Sequence, residues 1–360
     1  RMQAKARADL ARLFVDKLAA AGLAAPSVDT FSTPRRLALI ARGLPVATAA
    51  VAEERRGPKT DAPAPAIDGF LKSTGLSRDQ LEERDDPKGR FFYAVIERPG
   101  RATAAVLAEV VAAIVRDLPW PKSMRWGAAS LSTASPRWVR PLQGIIAMLD
   151  AEVVDVEAAG VRAGCVTVGH RTLHPGPITI GGADDYAMKL RAGHVILDQE
   201  ERARIIRDGA RQLAADAGLT LVEDDGLVEE NAGLTEWPVP LLGEFDDSFL
   251  AVPREVIQLT MRTNQKYFAA LRADGGLAPA FICVANIVAT DGGQAIVAGN
   301  RKVLGARLSD AKFFWEQDLK TPLAAQADKL SQITFHEKLG TVADKVERVA
   351  KLARWLAEQD

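Results

Sequence analysis

The hydrophobic period of this chain changes for good at Gly299. Before that point, helical spacing alternates with short β-branched and aromatic runs; after it, every signal is helical. Such a pattern builds an α+β body of mixed helix and sheet, followed by the start of an all-α segment. Leu10, Leu13, Phe14 and Leu18 mark a first helix over residues 3–22, stopped by Gly22. Arg36 to Leu44 reads as a strand, and the Pro- and Ala-rich stretch from Gly57 to Pro65 as a loop before a short helix at 67–74. Phe91 to Ile96 reads as another strand. Val106, Val110, Ile114 and Leu118 define a second long helix, ended by Pro119-Trp-Pro121. Residues 138–180 are β-rich, including a run from Val139 to Leu149, and helices are expected at 184–192 and 198–217. Tyr267 to Ala273 and Ala280 to Val288 form a hairpin around Asp274-Gly-Gly276. Val342, Val346, Val349, Ala353 and Leu356 predict one buried helical stripe. A domain boundary is expected between Asp318 and Pro322, giving an α+β body over 1–318 and a helical segment over 319–360.

Bulk properties narrow the function. A length of 360 residues exceeds one ordinary core, so the body is expected to carry sub-lobes. The net charge of -1 supplies no global positive field, so any nucleic-acid contact must come from local patches. Cys165 and Cys283 lie too far apart in sequence for a zinc knuckle, and two cysteines make no disulfide framework; a reducing cytoplasm fits. No apolar run approaches the roughly 20 residues that span a bilayer, and no secretory leader is evident. The chain opens on Arg1 and ends inside a helical pattern, as a piece of a longer protein would.

Few segments carry chemistry. His170 and His174 are four apart but sit in a stretch running into Pro175, with no carboxylate or cysteine to complete a metal set. There is no phosphate loop and no dinucleotide fingerprint. Paired acids such as Asp184-Asp185, Asp224-Asp225 and Asp246-Asp247 fall where Asp caps helices and turns. The acids of Glu229 to Glu236 lie on an expected helix ending at Pro238, and nothing assigns a general base among them. Met124-Arg-Trp-Gly127 and Pro136-Arg-Trp-Val-Arg-Pro141 set Arg125, Arg137 and Arg140 beside Trp126 and Trp138. Met261-Arg-Thr-Asn-Gln-Lys-Tyr-Phe268 sets Arg262 and Lys266 beside Tyr267. In Gly299 to Trp315, Leu304, Leu308, Ala311 and Trp315 make the buried stripe, which leaves Arg301, Lys302 and Lys312 to face outward. Guanidinium grips phosphate in bidentate fashion, and an aromatic ring stacks on bases for about 1–3 kcal/mol each. Arg125, Arg137, Arg140, Arg262, Lys266, Arg301 and Lys302 are the phosphate-binding candidates, with Trp126, Trp138 and Tyr267 as stacking or packing neighbours.

Short motifs in order resemble the beta subunit of the tetrameric bacterial glycyl-tRNA synthetase. They are Thr33-Pro-Arg-Arg-Leu37, Gly57-Pro58, Met124-Arg-Trp-Gly127, Gly169-His-Arg171, Thr235-Glu-Trp-Pro238, Pro253-Arg-Glu-Val256, Met261 to Phe268, Gly299-Asn-Arg301, Leu308 to Phe314 and Glu337 to Thr341. The resemblance implies a body like the B3/B4 module of the phenylalanyl enzyme, followed by the start of an HD-type helical domain and, beyond it, an anticodon-binding domain. It implies an alpha-subunit partner in an alpha2beta2 assembly, with ATP, Mg and glycine activation on that subunit and no cofactor on this chain. It also implies that this chain supports charging by holding tRNA(Gly), with no catalytic residue or metal of its own. A B3/B4 module can edit mischarged tRNA, but no amino acid is smaller than glycine and a tight pocket rejects alanine by overlap, so binding is expected over hydrolysis. The competing expectations are a pure assembly scaffold for the alpha subunit and an HD-type phosphohydrolase.

Overall fold

The computed structural model describes residues 1–25, 27–133 and 135–359. The chain divides into two compact units, residues 1–202 with 232–237 and residues 203–231 with 238–360.

In the first unit, the helix Met2–Ala20 buries Ala6, Leu10, Phe14 and Leu18, the spacing of one helical face. It packs on the antiparallel hairpin Ser27–Ser32 with Leu37–Arg42, in register from Ser27 opposite Arg42 to Ser32 opposite Leu37. The helix Thr103–Asp117 closes the same core with Val106, Leu107, Val110 and Ile114. A separate three-stranded sheet has Gly89–Arg98 between Val51–Lys59 and Leu81–Asp86. The helix Ala64–Thr74 shares a small core with it through Ile67, Leu81, Phe92 and Ala94. Residues 124–179 follow as nine short strands of two to four residues among the described residues, none long enough to make a wide sheet. The helix Ala183–Ala192 comes next, its entry capped by the Asp185 carboxylate on the amides of Gly181 and Gly182.

In the second unit, an antiparallel sheet runs in the order Thr220–Leu221, Phe268–Leu271, Leu277–Ala285, Val239–Glu244. The expected hairpin is its centre, closed by a turn in which Gly275 takes φ 80° and Arg272 bonds to Gly276 at 2.8 Å. The helix Gln294–Lys320 lies along the sheet and buries Leu304 and Leu308. Ile257, Met261, Tyr267, Phe281 and Cys283 complete that core.

Three expectations need correction. The stretch from Gly57 to Pro65 is not all loop: Val51–Lys59 is an edge strand that runs through Pro58. Its pairing shifts between Arg56 and Lys59, where a proline without an N–H can be tolerated. The segment after Gly299 is not wholly helical, because Thr334–His336 and Gly340–Thr341 pair as a small antiparallel ladder. The stripe on the last helix, Val342–Ala357, is not buried: Val346, Val349 and Leu356 are exposed, and no residue of that helix is buried. A helical period reveals an apolar face; whether anything covers it is a tertiary fact.

Candidate nucleic-acid interface

The candidate cations fall into two classes. Arg262 and Lys266 are tied down in the second unit. Thr260–Gln265 winds as a π-helical turn, and Lys266 then takes the left-handed conformation at φ 63°, which lets Tyr267 bond back to Met261 at 3.0 Å. The turn aims Arg262 at Asp224, gripped through both Nε and Nη2. The guanidinium holds the Asp224 carboxyl below the usual carboxylate range, and Asp224 in turn raises Arg262. Lys266 Nζ stands 2.7 Å from Glu230. Tyr267 is buried, stacks on Phe281 at 5.0 Å and donates its hydroxyl to Asn300. Burial pushes its phenol up to about 12. Of the two roles foreseen for Tyr267, the structure supplies packing.

The other cations make no ion pair among the described residues, although Arg301 lies near enough to Asp246 to help hold its carboxyl low. Arg125, Arg137 and Arg140 in the first unit are exposed and make no ion pair among the described residues. Arg125 and Arg137 sit on the ladder of Met124–Arg125 with Arg137–Trp138. Trp138 turns inward, packs on the first unit's core and meets Trp120 edge-on at 4.9 Å. Trp126 is half-buried beside Arg125. In the second unit, Arg301 and Lys302 are exposed on the helix Gln294–Lys320, while Lys312 is half-buried. Sequence reasoning missed Lys122, and the signal was available: residues 118–149 carry Lys122, Arg125, Arg137 and Arg140 and no Asp or Glu.

A different constellation joins Thr33 and Arg36 to Glu236 inside the first unit. Glu236 accepts from the Thr33 hydroxyl at 2.7 Å and from the Arg36 guanidinium, which also donates to the Val168 carbonyl. Tyr186 is half-buried beside Arg36 and Glu236, and desolvation raises its phenol. His170 is buried with Nδ1 accepting from the amides of Thr172 and Leu173, which leaves the proton on Nε2 without a partner. Gly169 before it has no room for a Cβ, which would come within 2.6 Å of the His174 carbonyl oxygen. Arg202 is fully buried and donates only to main-chain oxygens: Ala232 at 2.9 Å, Ile196 at 2.6 Å, Leu197 at 2.9 Å and Ser32 at 2.6 Å. Desolvation lowers it to about 10. The acids of residues 229–236 thus supply a buried structural tie, Glu236, together with Glu230 on Lys266. Among the described residues no group of three or more His, Cys, Asp or Glu side chains could hold a metal. No helix among them is long and apolar enough to cross a membrane.

A family model described as glycyl-tRNA synthetase beta subunit matches residues 1–360. This chain belongs to that family. It is 50% identical to the glycine–tRNA ligase beta subunit of Paracoccus denitrificans over 364 residues, which cover 99% of this chain and 52% of the relative. The corresponding subunit of Rhodospirillum centenum is 48% identical over 378 residues, covering 98% and 52%. That of Phenylobacterium zucineum is 50% identical over 359 residues, covering 99% and 52%. The chain spans about half the length of these curated relatives. Family membership bears out the motif reading, and Thr33 and Arg36 of one motif meet Glu236 of another that stands far from it in sequence.

Proposed function

We propose that this chain serves glycine–tRNA ligase as the part of the beta subunit that holds tRNA(Gly) and takes part in assembly. In this reading ATP, Mg and glycine activation belong to the alpha subunit of an alpha2beta2 enzyme in the cytoplasm. The body acts as a B3/B4-type binding module, and residues 319–360 begin an HD-like helical domain. The observation that carries the RNA reading is the set of exposed cations that make no ion pair among the described residues, Arg125, Arg137 and Arg140 with Arg301 and Lys302. In a chain of net charge -1, exposed cations outside ion pairs are what a polyanion can use. Arg262 and Lys266 act here as struts for the π-helical turn, since Asp224 and Glu230 already hold them.

One observation favours protein contact as well. Phe313, Phe314 and Leu319 are exposed on the helix that carries Arg301 and Lys302, and apolar exposure of that kind suits a protein partner. Mixing the chain separately with purified alpha subunit and with a glycine tRNA transcript, then co-purifying, tests both. Retention of the transcript, lost as salt rises, supports the tRNA role. Retention of the alpha subunit alone would replace it with the assembly scaffold.

A further inference from the structure

The ladder of Met124–Arg125 with Arg137–Trp138 sets two like charges face to face. Its register pairs Met124 with Trp138 and Arg125 with Arg137. Directly opposed residues of an antiparallel pair point to the same side, with Cα atoms about 4.5–5.5 Å apart. The inward turn of Trp138 against Trp120 and the core fixes which side that is. Arg125 and Arg137 therefore share the outward side, where both are exposed.

Like charges opposed in a ladder destabilise it. The usual relief is a carboxylate nearby. Neither arginine makes an ion pair among the described residues, and no acid occurs between Asp117 and Asp150. A two-residue ladder has few hydrogen bonds with which to absorb that repulsion. An anion supplied from outside would cancel it.

We propose that Arg125 and Arg137 form a single clamp for one backbone phosphate of an RNA, with Lys122 and Arg140 strengthening the field around it. The proposal rests on the tRNA-holding role above and names where the backbone is gripped. A phosphodiester has two unesterified oxygens, and each can take the fork of one guanidinium. RNA repeats the same anion along its strand, so Lys122 and Arg140 find the neighbouring phosphates.

A clamp differs from two separate contacts in three measurable ways. Half a clamp is nearly as poor as none, so the two losses do not multiply. Only one phosphate is neutralised, so the salt slope falls by about one for either variant and no further for both. Removing one arginine also relieves the repulsion, so the free chain does not lose thermal stability. The test is fluorescence-anisotropy titration of a labelled glycine tRNA transcript at 50–200 mM salt, with Arg125→Gln, Arg137→Gln, the double variant, and Arg301→Gln/Lys302→Gln in the second unit as a comparison. Each single is expected to weaken binding about tenfold at low salt. The double should be within about twofold of the singles, with all melting midpoints at or above that of the parent.

Independent, multiplying losses, or unchanged affinity in a parent that binds the transcript, overturn the clamp and leave the tRNA role standing. A parent that does not bind the transcript overturns both. Loss of alpha-subunit binding by the two singles, with transcript binding kept, overturns the clamp and assigns the pair to a protein contact.

Discussion

Replacing Glu236 by Gln removes one charge from a place that water does not reach. Glu236 is 2% exposed and the Arg36 side chain 9%, and their ion pair is shared with the Thr33 hydroxyl at 2.7 Å. Gln keeps the shape and an oxygen for both donors, so what disappears is the charge. Breaking a buried pair costs about 3–5 kcal/mol, most of it from the partner left uncompensated. Gln retains the acceptor, which puts the expected cost near the lower end, about 3 kcal/mol. The buried Arg202 adds to the cost, because Glu236 is the first of the charges that favour its protonated form. For a unit of this size each kcal/mol moves the melting midpoint by about 2–4 °C, so a fall of about 6–12 °C is expected. Urea unfolding of Glu236→Gln followed by tryptophan fluorescence and far-UV circular dichroism gives the free energy directly. A change under about 1 kcal/mol would refute the reasoning. Arg36→Met combined with Glu236→Met should cost less than the two single losses added together, because neither charge is then stranded.

Three further outcomes follow from the same geometry. The Asp117 carboxyl is held at about 2 by Arg116 and Lys17, so its contribution is present above the ordinary value of 3.8 and fades as pH falls toward 2; Asp117→Asn should flatten the loss of urea resistance over that window. Burial pushes the Tyr267 phenol up to about 12, so a neutral phenol favours the fold and stability falls as pH rises above its ordinary value of 10; ultraviolet titration should show late components from Tyr267 and Tyr186, and Tyr267→Phe should remove one and leave the other. Burial pushes the Cys283 thiol up to about 11 while Cys165 is only half-buried, so a thiol reagent at pH 8 should label one cysteine quickly and the second only on unfolding.

What the sequence made legible was local. Leu10, Phe14 and Leu18 predicted their own burial because one helical face repeats every three or four residues. The hairpin around Asp274-Gly-Gly276 was equally open, since a turn needing positive φ demands glycine. The charge state of the candidate site was not open. Arg262 and Lys266 sit in the same basic, aromatic company as Arg125 and Arg137, yet Asp224 and Glu230, more than thirty residues earlier, hold the first pair and no acid among the described residues pairs with the second. Pairing across such distances is set by the fold, and a motif does not disclose it. The face of Val342–Ala357 failed for the same reason. Period shows that Val346 and Val349 share a side, and only the tertiary structure shows that this side is uncovered.

The Arg202 bonds have an evolutionary consequence. Its guanidinium holds Ser32, Ile196, Leu197 and Ala232 by their backbone oxygens, not by their side chains. Those four positions can therefore exchange side chains, within the space available, without loosening the knot. Arg202 itself has no such freedom: a lysine ammonium has three donors on one nitrogen and cannot span oxygens that a planar fork reaches from three. Variation among relatives should be tolerated around this residue and rejected at it, an asymmetry that aligned sequences of the family would display directly.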